Sequence, residues 1–198
     1  MPSICGDRQL RFRVIAGGVK SAPIPTGRQL DFDLLSSLLA GFLATVMMTL
    51  ATELASLRGA TSMPSMPLLL GAFVSGDYDL ATAVGSAIHY FIVGTILNGA
   101  IYALAISVVG AGLLVAALLG MVHGALIGVG LGWLKRVHPR VVDGAAVRGA
   151  SISGDRGEVV FSDPGMFGVG WGDLTPLVLV GAYVIYSLIF AIVYSLAA

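Results

Sequence analysis

Residues 112–132, GLLVAALLGMVHGALIGVGLG, hold no charged side chain, and they restrict the fold more than any other stretch. Small residues recur there at every fourth position: Gly112, Ala116, Gly120, Gly124, Gly128 and Gly132. Side chains four apart lie on one face of a helix. In water each glycine would weaken a helix by about 1 kcal/mol, whereas a bilayer forbids unpaired backbone groups. The stretch therefore predicts a transmembrane helix whose small face packs closely against a neighbour, and we expect Gly124→Leu to be highly damaging.

Composition assigns the whole chain to the membrane class. Hydrophobic residues make up 57% of it and charged residues 11%, against about 25% charged residues in soluble domains. Zero formal net charge argues against a nucleic-acid partner. Cys5 is the single cysteine, which excludes an intrachain disulfide and a cysteine-based metal site. Abundant Ala, Gly and Arg are typical of a prokaryotic, GC-rich genome.

Four apolar stretches are long enough to cross a hydrocarbon core of about 30 Å at about 1.5 Å per residue. They cover about residues 34–57, 81–106, 112–134 and 174–196. Residues 33–198 are thus predicted to form a four-helix transmembrane domain. Residues 1–32 are predicted to be a polar N-terminal tail, because they lack the apolar core of a signal peptide.

The connections carry smaller elements. Between the first two spans, Pro67–Val74 is apolar but too short to cross, and we interpret it as an interfacial helix. Residues 147–161 are predicted to form a small β-hairpin. Trp133 and Trp171 are predicted to anchor span ends at the lipid headgroups. The expected fold is an all-α membrane protein: a four-transmembrane-helix bundle with a short interfacial helix and a small hairpin.

The second span carries small and polar residues at four-residue spacing, which favours contact with protein rather than lipid. One stripe contains Tyr90, Gly94, Asn98 and Tyr102, and an adjoining stripe contains Gly85 and His89. Gly94 and Asn98 join the glycine row of the third span as predicted helix-packing residues. A short connection makes the second and third spans an antiparallel hairpin, and we expect the third span to be the centre of the bundle.

Three ionisable residues within the spans are candidates for function. His89 lies about 12 Å into the second span and His123 about 16 Å from the other end of the third, so the two are at similar depth. Such a pair could ligate a b-type haem. The alternative is that each histidine is hydrogen-bonded to a tyrosine or asparagine of a neighbouring helix. With Glu53, they could also form a polar path for a proton or small solute.

No motif of a hydrolase, metalloprotease or nucleotide-binding enzyme is present, so we expect a protein that is not an enzyme. The leading hypothesis is a non-catalytic membrane protein, either an accessory subunit bound to a larger membrane partner or a self-associating bundle. A haem or redox protein using His89 and His123 is the first alternative. Transport by an oligomer is the second. No cofactor is predicted, and haem b is the one kept as an alternative.

Three stretches resemble small four-span membrane proteins of prokaryotes: residues 89–95, the glycine row of the third span, and residues 172–176. The resemblance implies a four-helix bundle in the cell (inner) membrane and no particular activity. Positive charges near span ends set orientation. They are more numerous beside the first and third loops, chiefly at Lys135 and Arg136. Those loops are therefore predicted to be cytoplasmic and both termini outside.

Overall fold

The computed structural model describes residues 33–110, 112–143, 148–153 and 157–197; the predicted tail, residues 1–32, lies outside them. Within this part, four helices are long and apolar enough to span a membrane, as the sequence predicts. They are α1 (Leu34–Leu57), α3 (Tyr78–Val109), α4 (Leu113–Leu131) and α6 (Thr175–Ala197). The chain is thus a multi-pass membrane protein.

Shorter elements lie between these helices. Helix α2 (Met66–Gly71) follows α1, and helix α5 (Leu134–Val137) follows α4. Strands β1 (Val141–Val142), β2 (Ala150–Ser153) and β3 (Glu158–Ser162) come next, and a 3₁₀ segment (Met166–Trp171) precedes α6. Strands β2 and β3 pair antiparallel where the hairpin is predicted, although its turn, residues 154–156, is not described. Strand β1, which the sequence analysis missed, pairs parallel with β3.

Helix α6 occupies the centre of the bundle. It packs along both α1 and α4, and α1 also packs along α3. Helices α3 and α4 follow each other in the chain, yet within the described part their backbones come close to each other at very few positions. The expectation that the third span is the centre was therefore wrong, because large aromatic side chains of the fourth span fill the core. Tyr186, Phe190 and Tyr194 of α6 are fully buried.

At one end of the bundle, Asp33 joins α1 to α6. Its carboxylate caps α1 by accepting from the Leu35 amide at 3.1 Å, and the Ser36 hydroxyl donates to the same group. The bond from Ser36 lowers the pKa of Asp33. The backbone amide of Asp33 donates to the Tyr194 hydroxyl at 2.9 Å. The start of the first span and the end of the last span are therefore held together.

At the opposite end, α2, the sheet and the 3₁₀ segment form a cap. The buried His138 donates from Nε2 to the Leu69 carbonyl at 3.1 Å and accepts at Nδ1 from the Arg140 amide at 3.1 Å. The Arg140 guanidinium donates to the Ala72 carbonyl. Both side chains thereby satisfy carbonyls at the C-terminal end of α2. Burial lowers the pKa of His138, which keeps the ring neutral.

The cap is held by a close backbone contact between α2 and α3 and by a buried tryptophan. A Cβ on Gly85 would lie 1.7 Å from the Pro67 carbonyl oxygen, so α2 rests directly on the start of α3. Trp171 is fully buried and donates from Nε1 to the Ser162 carbonyl at 3.0 Å. The prediction that Trp171 anchors the chain at the headgroups was therefore wrong. Trp133, in contrast, is 64% exposed.

Candidate functional site

Helix α3 changes its winding over Ile88–Asn98, where it is a π-helix. The Thr95 hydroxyl donates to the carbonyl of Tyr90, five residues earlier, at 2.6 Å. In an α-helix, residues nine apart face opposite ways, because nine steps of about 100° make two and a half turns. In a π-helix of about 4.4 residues per turn, nine residues make about two full turns. The π segment therefore places His89 and Asn98 on one side of α3, and both are buried.

Neighbouring helices hold the π segment in place. Gly94 lies at its middle, and a Cβ there would be 2.0 Å from the Thr45 hydroxyl of α1. The Gly94 carbonyl accepts a hydrogen bond of 2.9 Å from the Tyr186 hydroxyl of α6. Gly41 of α1 also approaches the backbone of this segment, since its Cβ would lie 2.9 Å from the Thr95 carbonyl oxygen. Irregular winding of this kind is frequent at functional sites.

Because α3 and α4 diverge, a cleft opens between them that consists of two cavities. The His89 cavity has a volume of about 290 Å³. Its lining residues are Met48, Met66, Leu70, His89, Val93, Gly94, Asn98, Leu126, Ile127, Gly130, Leu131, Leu134 and Tyr183. The His123 cavity has a volume of about 310 Å³ and is lined by Ile101, Tyr102, Ala105, Leu119, Val122, His123 and Leu126.

The two cavities share Leu126, which is 66% exposed and lies at the outer edge of the cleft. Ile101 and Val122, which flank the His123 cavity, are also exposed on the outer surface of the bundle. Exposed apolar side chains in the middle of a transmembrane helix are expected to face lipid chains. We therefore expect the cleft to be reached from within the bilayer.

The hydrogen bonds of His89 determine its tautomer. The Thr49 hydroxyl donates its single proton to the Thr45 carbonyl at 2.8 Å and lies 3.0 Å from Nε2 of His89. Both bonds form together only if Nε2 donates to the Thr49 oxygen. Nε2 therefore carries the proton of this bond, and Nδ1 is the nitrogen left for another partner. Among the described residues no group donates to this atom.

Two further polar groups of the His89 cavity have no partner in the described chain. Neither the Asn98 amide nor the Tyr183 hydroxyl makes a hydrogen bond there, although Asn98 is only 7% exposed. Every described side-chain nitrogen or oxygen that is fully enclosed does have a partner. The polar atoms of Asn98 and Tyr183 are therefore not fully enclosed, and both residues line the His89 cavity. An unpaired buried amide costs about 1–3 kcal/mol, so both groups favour a hydrogen-bonding guest.

In the His123 cavity the two polar side chains bond each other, and Nε2 of His123 has no partner in the described chain. Nδ1 of His123 and the Tyr102 hydroxyl are 3.1 Å apart, a bond that bridges α4 and α3. The His123 ring lies 4.4 Å from the ring of Tyr183, and Tyr102 lies 5.0 Å from Tyr186. The floor of the cleft is therefore a continuous set of aromatic side chains from α3, α4 and α6.

The glycine row of α4 lies partly against α6. A Cβ on Gly120 would be 2.5 Å from the Tyr183 carbonyl oxygen, and one on Gly124 would be 2.9 Å from Cα of Val180. Ala116 is buried in the core. Gly112 differs, because it is the N-cap residue of α4 and its Cβ would meet only α4's own Val115, at 3.9 Å.

The end of the row contacts the 3₁₀ segment instead of a helix. A Cβ on Gly128 would be 2.3 Å from the Phe167 ring, and one on Gly132 would be 2.7 Å from Cγ of Met166. Phe167 has a positive φ of 56°, which L-residues rarely adopt. The 3₁₀ segment is therefore folded tightly against the end of α4.

The three ionisable candidates are separated. Glu53 is exposed on α1 and is not a lining residue of either cavity. His89 and His123 line different cavities, and each is hydrogen-bonded to a hydroxyl on a neighbouring helix. In the described chain no group of three or more His, Cys, Asp or Glu side chains is placed to hold a metal ion. Haem ligation by the two histidines stays a prediction, which an absorption spectrum tests.

Sequence reasoning missed Thr49 as the partner of His89 and Tyr183 as a lining residue. A signal for the π segment was nevertheless present. His89 is the last residue of the stripe that begins at Gly85. Gly94, five positions after His89, belongs to the adjoining stripe. A step of five between two stripes of buried residues is what a π turn produces.

No family model, no curated protein and no solved structure matches this chain. Function therefore has to be argued from the site itself.

Proposed function

We propose that this chain is a non-catalytic membrane protein that binds a lipid-soluble small molecule in the cleft between α3 and α4. The observation that carries the proposal is the separation of these two consecutive helices, beside which lie two cavities that share the exposed Leu126. Pockets for small molecules in proteins have volumes of about 300–1,000 Å³ and are mostly apolar with a few polar groups. Both cavities are of this kind.

Electrostatics supports an uncharged guest. No Asp, Glu, Lys or Arg is among the residues that line the two cavities. The charged group of an ionic guest would have no oppositely charged partner in this medium of low dielectric constant, which would cost several kcal/mol. An apolar molecule, in contrast, would leave the hydrocarbon core for a surface of similar polarity.

The hypotheses of an accessory subunit and of self-association were based on the small-residue face of α4. Because Gly120 and Gly124 of that face lie against the chain's own α6, a partner or a second copy would have to bind through another surface. They stay predictions, which the retention of a partner in mild detergent would test.

Photolabelling in lipid nanodiscs with one chain per disc tests the proposed function. The probe is 1-dodecanol that carries a diazirine on its chain, and labelled peptides are identified by mass spectrometry. We expect saturable labelling of the segment around Leu126. Leu126→Trp should abolish it by filling the cleft.

The matched control is Leu114→Trp, on the same helix. Leu114 is 75% exposed and lines neither cavity, so this variant should be labelled like the parent. Labelling that rises linearly with probe concentration, or that both variants reduce equally, would contradict the proposed function.

A further inference from the structure

We infer that the Asn98 amide is the head-group site of the cleft, and that it selects an uncharged amphiphile with a hydroxyl or carbonyl group. This inference rests on the proposed function, since it names the ligand class of the same cleft. Its first support is the unpaired state of the amide of Asn98, which is 7% exposed and lines the His89 cavity. An amide supplies two donors and one acceptor, so it can bond either kind of head group.

The second support is the position of the amide along the cleft. The π segment turns Asn98 to the same side of α3 as His89, whose Nδ1 also lacks a donor in the described chain. The Tyr183 hydroxyl lines the same cavity and is likewise unpaired. The His89 cavity therefore holds three polar groups without partners in the described chain, whereas in the other cavity Tyr102 and Nδ1 of His123 bond each other and only Nε2 of His123 lacks a partner.

The third support is the shape of the site. The His89 and His123 cavities meet at Leu126, and apart from Tyr102 and His123, which bond each other through Nδ1, the lining of the His123 cavity is apolar. A molecule with one polar end and an apolar chain fits this arrangement. Its head group would bond Asn98, and its chain would lie beside Leu119 and Val122 and leave toward the lipid.

The experiment measures displacement of the photoreactive dodecanol in the same nanodiscs by unlabelled 1-dodecanol and by dodecane. We expect dodecanol to displace the probe at concentrations at which dodecane does not. Asn98→Leu has nearly the same volume and no hydrogen-bonding atoms, so it should weaken probe binding about fivefold. Saturable labelling should remain, because the apolar cleft is intact.

Ser107→Ala is the matched control, since it removes a hydroxyl of the same helix that bonds the Leu104 carbonyl, lies outside the π segment and lines neither cavity. It should bind the probe like the parent. Equal binding by Asn98→Leu and the parent, or equal displacement by dodecane, would overturn the head-group assignment and leave the proposed function standing. Absence of saturable labelling in the parent would overturn both and would indicate a cleft that holds only water.

A second copy of the chain is the competing occupant. Leu126→Cys, made together with Cys5→Ser so that no other thiol is present, tests it in native membranes, because two clefts that face each other would form a disulfide-linked dimer. We expect the chain to stay monomeric under oxidation. A dimer together with absence of saturable probe labelling would overturn the inference.

Discussion

Replacing Gly120 by Ala tests how closely α4 approaches α6. The added Cβ would lie 2.5 Å from the Tyr183 carbonyl oxygen and 2.7 Å from Cα of Val184. Ordinary contacts begin at 3.4 Å, so the helices must separate by the difference between 3.4 and 2.5 Å, which is 0.9 Å. A gap of this size removes about a quarter to a half of the dispersion attraction between facing atoms. We therefore expect a loss of about 1–3 kcal/mol in the free energy of unfolding.

The assay is unfolding in mixed micelles of increasing SDS fraction, followed by tryptophan fluorescence. Gly181→Ala is the matched control, because Gly181 lies on α6 with no atom within 4 Å of its Cβ position. That variant should be as stable as the parent or gain up to about 1 kcal/mol from helix propensity. Gly124→Leu should cost more than Gly120→Ala, since a larger side chain meets Val180. Equal stability of Gly120→Ala and Gly181→Ala would refute the close approach.

Three further predictions concern other parts of the chain. Tyr186→Phe leaves the Gly94 carbonyl without its donor, so we expect a loss of about 1–3 kcal/mol in the same unfolding assay. Because burial lowers the pKa of His138 below its usual 6.5, the unfolded chain binds that proton first, and stability should fall as the pH drops below about 6.5. His138→Gln should remove this part of the pH dependence in thermal melts at pH 7.5 and 5. Alkaline phosphatase fused after Ala198 should be active and a fusion at Arg148 inactive, and the reverse pattern would place both termini inside.

The four spans could be predicted from the sequence because a hydrophobic stretch of sufficient length has few alternatives in a bilayer. The close approach at Gly120 was also predictable, since a row of small residues on one face has a clear packing role. The partner helix was not predictable. A row of small residues does not specify which of the other three spans it faces, and only the tertiary arrangement decides among them.

The candidate site was predictable only in its residue types. His89, Asn98 and His123 stood out because polar groups within spans are costly and therefore informative. Their arrangement depends on the π segment, which rests on contacts that Thr45 and Tyr186 make from two other helices. Trp171 was misplaced for a similar reason. A tryptophan beside a span usually marks the headgroups, whereas here the positive φ values of Gly168 and Gly172 accompany a chain that is turned inward.

The most direct test of the central claim is the side-chain amide signal of Asn98 in a nitrogen–proton correlation spectrum of the chain in nanodiscs. The signal is assigned by its absence in Asn98→Leu, and 1-dodecanol is then added stepwise. We predict a shift of the Asn98 signal that saturates, that Leu126→Trp abolishes, and that dodecane does not produce. An Asn98 signal that stays unchanged at all dodecanol concentrations would contradict the account.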